Sequence, residues 1–191
     1  EMYNYALNNG VLGIQRGEMP GVMLYLLPLG VGVTKGNSSR GWGSPFNSFW
    51  CCYGTGIESF SKLADSIYFT DAATGALIIA RYVDSKLTPS EGGFAVHQTA
   101  SVAHTGKATI VIDSVGSSTG AATAALKLLI PSWSASPSVK VNGVALPAPA
   151  PVPGSFLTLE RAWSPGDSVE LTLPSEIALS KLDDGREAYR S

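Results

Sequence analysis

Between residues 77 and 173 the chain is cut into seven short segments in which apolar and polar residues tend to alternate: 77–83, 94–100, 109–113, 124–130, 138–141, 156–159 and 168–173. A period of two sends successive side chains to opposite faces of a strand, so each such segment has one face to bury. Turn residues separate the segments. Asn142-Gly143, between Lys140-Val141 and Val144-Ala145, offers the two residues best suited to the left-handed positions of a type I′ hairpin. Residues 145–154 (ALPAPAPVPG) are proline-rich. Proline cannot donate to a ladder, so this stretch links strands and does not sit in a central one. Roughly seven short strands with this punctuation predict an antiparallel β-sandwich.

The first third reads differently. Ile57, Phe60, Leu63, Ala64 and Ile67 recur at helical spacing and predict a helix running from the Cys51-Cys52 pair to about Phe69. In residues 2–12, Tyr5, Leu7 and Leu12 stand near helical spacing, and the stretch reads as a helix end closed by Asn9-Gly10. Residues 15–21 read as a turn-rich link, residues 22–28 (VMLYLLP) as a buried strand or extended segment, and residues 35–45 as a loop. Asn37-Ser38-Ser39 is a glycosylation sequon, which makes Asn37 an acceptor if the chain is secreted. Residues 71–75 (DAATG) form a small linker or turn, so the change from helix to strand falls near residues 70–76. The expected division is a helical part, 1–72, and a β-domain, 76–191.

Composition narrows the function. Charged residues are 15% of the 191, below the ~25% of an ordinary soluble domain. Some apolar surface is therefore expected to face another segment. Net charge is −2 with no basic run, which argues against nucleic acid or an anionic membrane as partner. Residues 22–33 are apolar but short of the ~20 residues of a membrane span, and Pro28, Gly30 and Gly32 interrupt them. No signal peptide is visible, and the first residues read as mid-helix. The chain is thus expected to be an internal piece of a longer protein, with its compartment signal elsewhere.

Both cysteines stand side by side after three aromatic residues, Phe46, Phe49 and Trp50, and before a flexible Gly54-Thr55-Gly56. A bridge between neighbours is strained, because disulfides prefer a wider Cα separation than ~3.8 Å. Three readings remain: buried small residues, a redox switch, or a catalytic and metal-binding pair. Backbone N–H groups at a helix start favour the thiolate, which is both a nucleophile and a soft metal ligand. Trp42 and Trp50 are candidate platforms for the apolar face of a ligand ring, and Arg40 reads either as a donor to ligand hydroxyls or as a cation that solvates the loop, whereas Phe49 suits core packing. Glu58 reads as a first-turn carboxylate favourable to the helix dipole, and His97 and His104 receive no role.

The stretch FWCCYGTGIESFSKLADSIYF (49–69) resembles the cysteine-pair segment of glycoside hydrolase family 127, the β-L-arabinofuranosidase-like proteins, in a plant-type form. PGVMLYLLPLGVGV (20–33), GWGSPFNSFW (41–50) and LLIPSW (128–133) fit the same family, and the resemblance runs from Leu12 to about Arg190. It implies that residues 1–72 are the last helices of an (α/α)6 barrel that carries the active site, followed by a β-sandwich. It places Cys51 on the nucleophile and Cys52 on a zinc ligand, with Cys51 also touching the zinc. In that family the further zinc ligands, a glutamate and a cysteine, and the acid/base glutamate come from upstream helices that this chain lacks. Tyr53-Gly54-Thr55-Gly56 departs from the Pro- and Asn-containing bacterial version, which leaves sugar specificity open. The expected function is that of a fragment of a retaining, zinc-dependent glycosidase, inactive in isolation, secreted or endomembrane, and acting on an arabinose-containing glycan or glycoprotein. The alternative is a carbohydrate-binding or structural sandwich without catalysis.

Overall fold

The computed structural model describes residues 1–88, 93–116, 124–181 and 187–190. The chain divides into two compact units, Glu1–Asp65 and Ser66–Ser191.

In the first unit, helix α1 (Met2–Tyr5) continues as a wider π-helical stretch, Ala6–Leu12. The winding passes through Gly10, which was expected to end it, and closes instead where the Gly13 N–H donates to the Asn8 carbonyl at 2.7 Å. Residues expected to be a link form β1 (Gln15–Arg16) and β2 (Met19–Met23), an antiparallel pair. The apolar run then splits. Val22, Met23 and Leu24 are buried, while Leu26 and Leu27 are exposed. The loop holds one short 3-10 turn, Lys35–Asn37. Helix α2 spans Cys51–Ser61 and stops eight residues before the expected Phe69, with Lys62 (φ −101°, ψ 8°) already outside helical geometry. Its inner contact is Tyr53, and Ile57 is exposed.

The second unit is built from strands. They are β3 (Tyr68–Thr70), β4 (Leu77–Ile79), β5 (Ser85–Leu87), β6 (Phe94–Ser101), β7 (Lys107–Val115), β8 (Ala124–Ile130), β9 (Ser138–Val141), β10 (Val144–Ala145), β11 (Ser155–Arg161), β12 (Ser168–Thr172), β13 (Ala178–Lys181) and β14 (Glu187–Arg190). A short helical turn, α3 (Val102–Thr105), joins β6 to β7. One sheet runs β10-β9-β12-β7-β6-β5 and the other β11-β8-β4-β3, with β13 and β14 paired separately. Where alternation predicted strands it is met by burial: Ala108, Ile110 and Ile112 of β7, Val169 and Leu171 of β12, and Leu126, Leu128 and Ile130 of β8 all enter one shared core. Two sheets facing one core make this part a β-sandwich.

Two details differ from the expectation. The sandwich is not wholly antiparallel, since β4 and β8 pair in parallel, Leu77 beside Leu126 and Ile79 beside Leu128. Residues 71–75 are the turn of a β3–β4 hairpin, and the Phe69 region is strand and not helix; the first compact unit ends at Asp65. The Asp71 carboxylate fixes that turn, accepting from the Ala73 N–H at 3.0 Å and from Lys127 Nζ at 2.6 Å. His97 Nδ1 lies 2.7 Å from Asp113 on the neighbouring strand. The Asn142-Gly143 hairpin is as expected, with φ of 51° and 77° and Val141 paired to Val144.

Candidate active site

The first unit gathers its chemistry at the start of α2. Trp50 is the extended N-cap, and Cys51 and Cys52 are the first two helical residues. The helix starts there because the chain must turn out of an extended segment, and Trp50 accepts the Tyr53 N–H at 2.9 Å. Both thiols are free and exposed, with sulfurs 3.8 Å apart, far beyond a disulfide bond.

Tyr25 completes the group. Its hydroxyl lies 3.3 Å from the Cys51 sulfur. Its ring meets Trp50 edge-on at 5.2 Å and Tyr53 at 5.9 Å, and Trp50 and Tyr53 lie 5.3 Å apart. The Arg40 guanidinium stands over Tyr25 at 5.5 Å and over Trp50 at 5.2 Å. Such stacking orients the cation while its N–H edges stay available.

The segment bearing Tyr25 is held against α2 by one carbonyl. Met23 O accepts the Tyr53 hydroxyl at 2.6 Å and the Gly43 N–H at 3.0 Å. Gly43 is required there, because a Cβ on it would lie 2.6 Å from the Tyr53 hydroxyl. An antiparallel bridge between Leu24 and Trp42 extends the same contact.

Electrostatics at the site favour a charged sulfur. The Cys51 thiol is held below its ordinary range, first by the hydrogen bond from Tyr25, then by that from Cys52, and less by backbone N–H groups at the helix start. Tyr25 is pushed up to about 12, because its proton is shared with Cys51 and Cys52 and a phenolate would face their charge. Burial raises the Tyr53 phenol.

Cys51, Cys52, Trp50 and Arg40 thus come together. Trp42 does not join them by its ring, which instead lies 6.0 Å from the Arg16 guanidinium. Phe49, expected in a core, is 82% exposed. Glu58 is the eighth residue of α2, past the first turn, so it has no dipole role. Asn37 is exposed, with its Oδ1 accepting the Thr34 N–H at 2.7 Å. Among the described residues no group of three or more His, Cys, Asp or Glu side chains could hold a metal ion, and no helix is long and apolar enough to cross a membrane. Sequence reasoning missed Tyr25, Tyr53 and Gly43. The available signal was a phenol inside each apolar run, since a phenol at the edge of a core needs a partner for its hydroxyl.

Comparison with known proteins shows the family and the fold. Residues 1–65 match the family described as beta-L-arabinofuranosidase, GH127 catalytic domain, and residues 76–175 match the GH127 middle domain. No curated protein matches the chain. Among solved structures, one called a glycoside hydrolase is similar with a TM-score of 0.64 and 20% identity, over 85% of this chain and 25% of that one. A GH127 beta-L-arabinofuranosidase from Geobacillus stearothermophilus T6 gives 0.58 and 21%, over 73% of this chain and 22% of its own. Another GH127 beta-arabinofuranosidase gives 0.58 and 18%, over 73% and 25%. The chain spans about a quarter of the length of these structures. With its catalytic-domain segment, its middle domain and the shared fold in agreement, the chain belongs to the GH127 beta-L-arabinofuranosidase family.

Proposed function

We propose that this chain supplies the nucleophile and part of the metal site of a retaining glycoside hydrolase acting on β-L-arabinofuranosides of a glycan or glycoprotein. The observation that carries the reading is Cys51: an exposed thiol at a helix start, held toward the thiolate by Tyr25. Residues 1–65 would be the last part of an (α/α)6 barrel, completed by helices of the longer protein. The resemblance to a plant-type member and the exposed Asn37 sequon support a secreted or endomembrane enzyme that is glycosylated there.

Cys51 and Cys52 would hold a zinc ion. Two thiolates on one tetrahedral zinc with bonds of ~2.3 Å stand about 3.8 Å apart, and the two sulfurs already have a 3.8 Å spacing. When bound, the ion lowers the thiol pKa and fixes the sulfur. The Cys51 sulfur attacks the anomeric carbon as the glycosidic C–O bond breaks. An acid from the rest of the enzyme protonates the leaving oxygen. Water then attacks the same carbon, its proton passing to the group that first acted as acid, and the C–S electron pair returns to sulfur. Arg40 and Trp50 orient the sugar through its hydroxyls and its apolar face, with Trp42 available as a more distant platform.

The test is Cys51→Ser and Cys52→Ser in the full-length enzyme, with hydrolysis of an aryl β-L-arabinofuranoside and zinc content measured together. Cys51→Ser should abolish turnover in a folded protein, and Cys52→Ser should lower both zinc and turnover. Residues 1–191 alone should be inactive and bind zinc weakly, because two donors are half of a tetrahedral set. Normal activity of folded Cys51→Ser removes the nucleophile assignment. Stoichiometric zinc and hydrolysis by 1–191 would show a complete site within this chain.

A further inference from the structure

We propose that Tyr25 is a second catalytic residue, the hydrogen-bond donor that stabilises the Cys51 sulfur as it leaves the sugar. This rests on the reading of Cys51 as nucleophile. Three observations carry it. The Tyr25 hydroxyl is 3.3 Å from the sulfur, within contact range of the reacting atom. The ring is fixed on several sides by Trp50, Tyr53 and the Arg40 guanidinium, so the hydroxyl cannot swing away without breaking that packing. The backbone just before it is fixed as well, through the two hydrogen bonds to Met23 O.

The chemistry makes this contact differential. A thiolate is a strong acceptor, whereas the thioether sulfur of a glycosyl-cysteine is a weak one. In the first step the sulfur lone pair forms the S–C bond, the C–O bond breaks, and the acid's proton goes to the leaving oxygen. The Tyr25 hydrogen bond weakens in that step. In the second step water forms the new C–O bond, its proton passes to the base, and the C–S pair returns to sulfur as thiolate. The Tyr25 hydrogen bond strengthens as that charge develops, so only the second step gains from it. The Tyr25 proton stays on its oxygen throughout.

The experiment is Tyr25→Phe in the full-length enzyme with an aryl β-L-arabinofuranoside. Phenylalanine keeps the ring packing and removes the donor alone, and an unchanged thermal transition verifies the fold. Loss of one hydrogen bond to a charged group should slow breakdown of the intermediate about tenfold or more. The expected results are kcat and KM falling together, a burst of aglycone stoichiometric with enzyme, and an arabinosyl adduct on the Cys51 peptide by mass spectrometry. Wild-type kcat and KM would overturn the proposal. So would a lower kcat with neither burst nor adduct, which is the signature of displaced structure. Failure of the underlying site reading is separately visible, because Cys51→Ser would then retain turnover.

Discussion

Replacing Asn142 tests how the six-stranded sheet is held together. Asn142 occupies the left-handed region at φ 51°, where alanine is disfavoured by about 1 kcal/mol or more. Its side chain also ties the hairpin to the start of β12. Oδ1 accepts the Ser168 N–H at 2.8 Å, and Nδ2 donates to Asp167 at 2.8 Å. Each such bond contributes about 1 kcal/mol net, at the low end for exposed groups. Asn142→Ala should therefore destabilise by about 2–3 kcal/mol, and Asn142→Gly, which tolerates the backbone but loses both bonds, by about 1–2 kcal/mol. At roughly 4 °C per kcal/mol, Asn142→Ala should lower the midpoint by about 8–12 °C. The assay is thermal unfolding of residues 1–191 followed by circular dichroism in the β-sheet band. An alanine variant within about 0.5 kcal/mol of wild type, or more stable than the glycine variant, would refute the argument.

Two further outcomes follow from the structure. Asp71 is held at about 2, first by the Lys127 hydrogen bond, so its contribution is whole above the ordinary carboxylate pKa and is lost as pH falls through about 2; Asp71→Asn should flatten the acid limb of a stability–pH profile, and an unchanged limb would remove that ion pair from the account. Gly43→Ala places a methyl 2.6 Å from the Tyr53 hydroxyl, so it should displace Tyr53 from Met23 and lower turnover of the full-length enzyme, with partial recovery in Gly43→Ala/Tyr53→Phe, where the nearest clashing atom is gone.

The sandwich was legible because its strands obey a local rule. Inward Ile110, Ile112, Leu126 and Leu128 stand two apart, and Asn142-Gly143 fixes its turn with two residues. Strand β3 was missed because its residues were read as the end of the helix after Cys52, β5 because its three residues stand apart from any longer alternating segment, and the parallel pairing of β4 with β8 depends on residues far apart in sequence. Helix α2 was over-extended because Leu63 and Ile67 keep the helical spacing although the chain has already turned at Lys62 and Ile67 belongs to the second unit. The cysteine pair was visible as a motif. Tyr25 was not, since it lies 26 residues from Cys51 and reaches it only through the fold.

The position of β12 has a consequence for synthesis. This strand is made after β7 and β9, yet it lies between them, pairing Val169 with both Ile110 and Val141. Until it leaves the ribosome, β7 and β9 each present an unpaired edge, and the β9–β10 hairpin has no sheet to join. Open edges of apolar strands recruit other chains. The nascent protein is therefore most vulnerable while residues 142–167 emerge, and premature termination in that interval would yield two sheet fragments with sticky borders instead of a smaller sandwich.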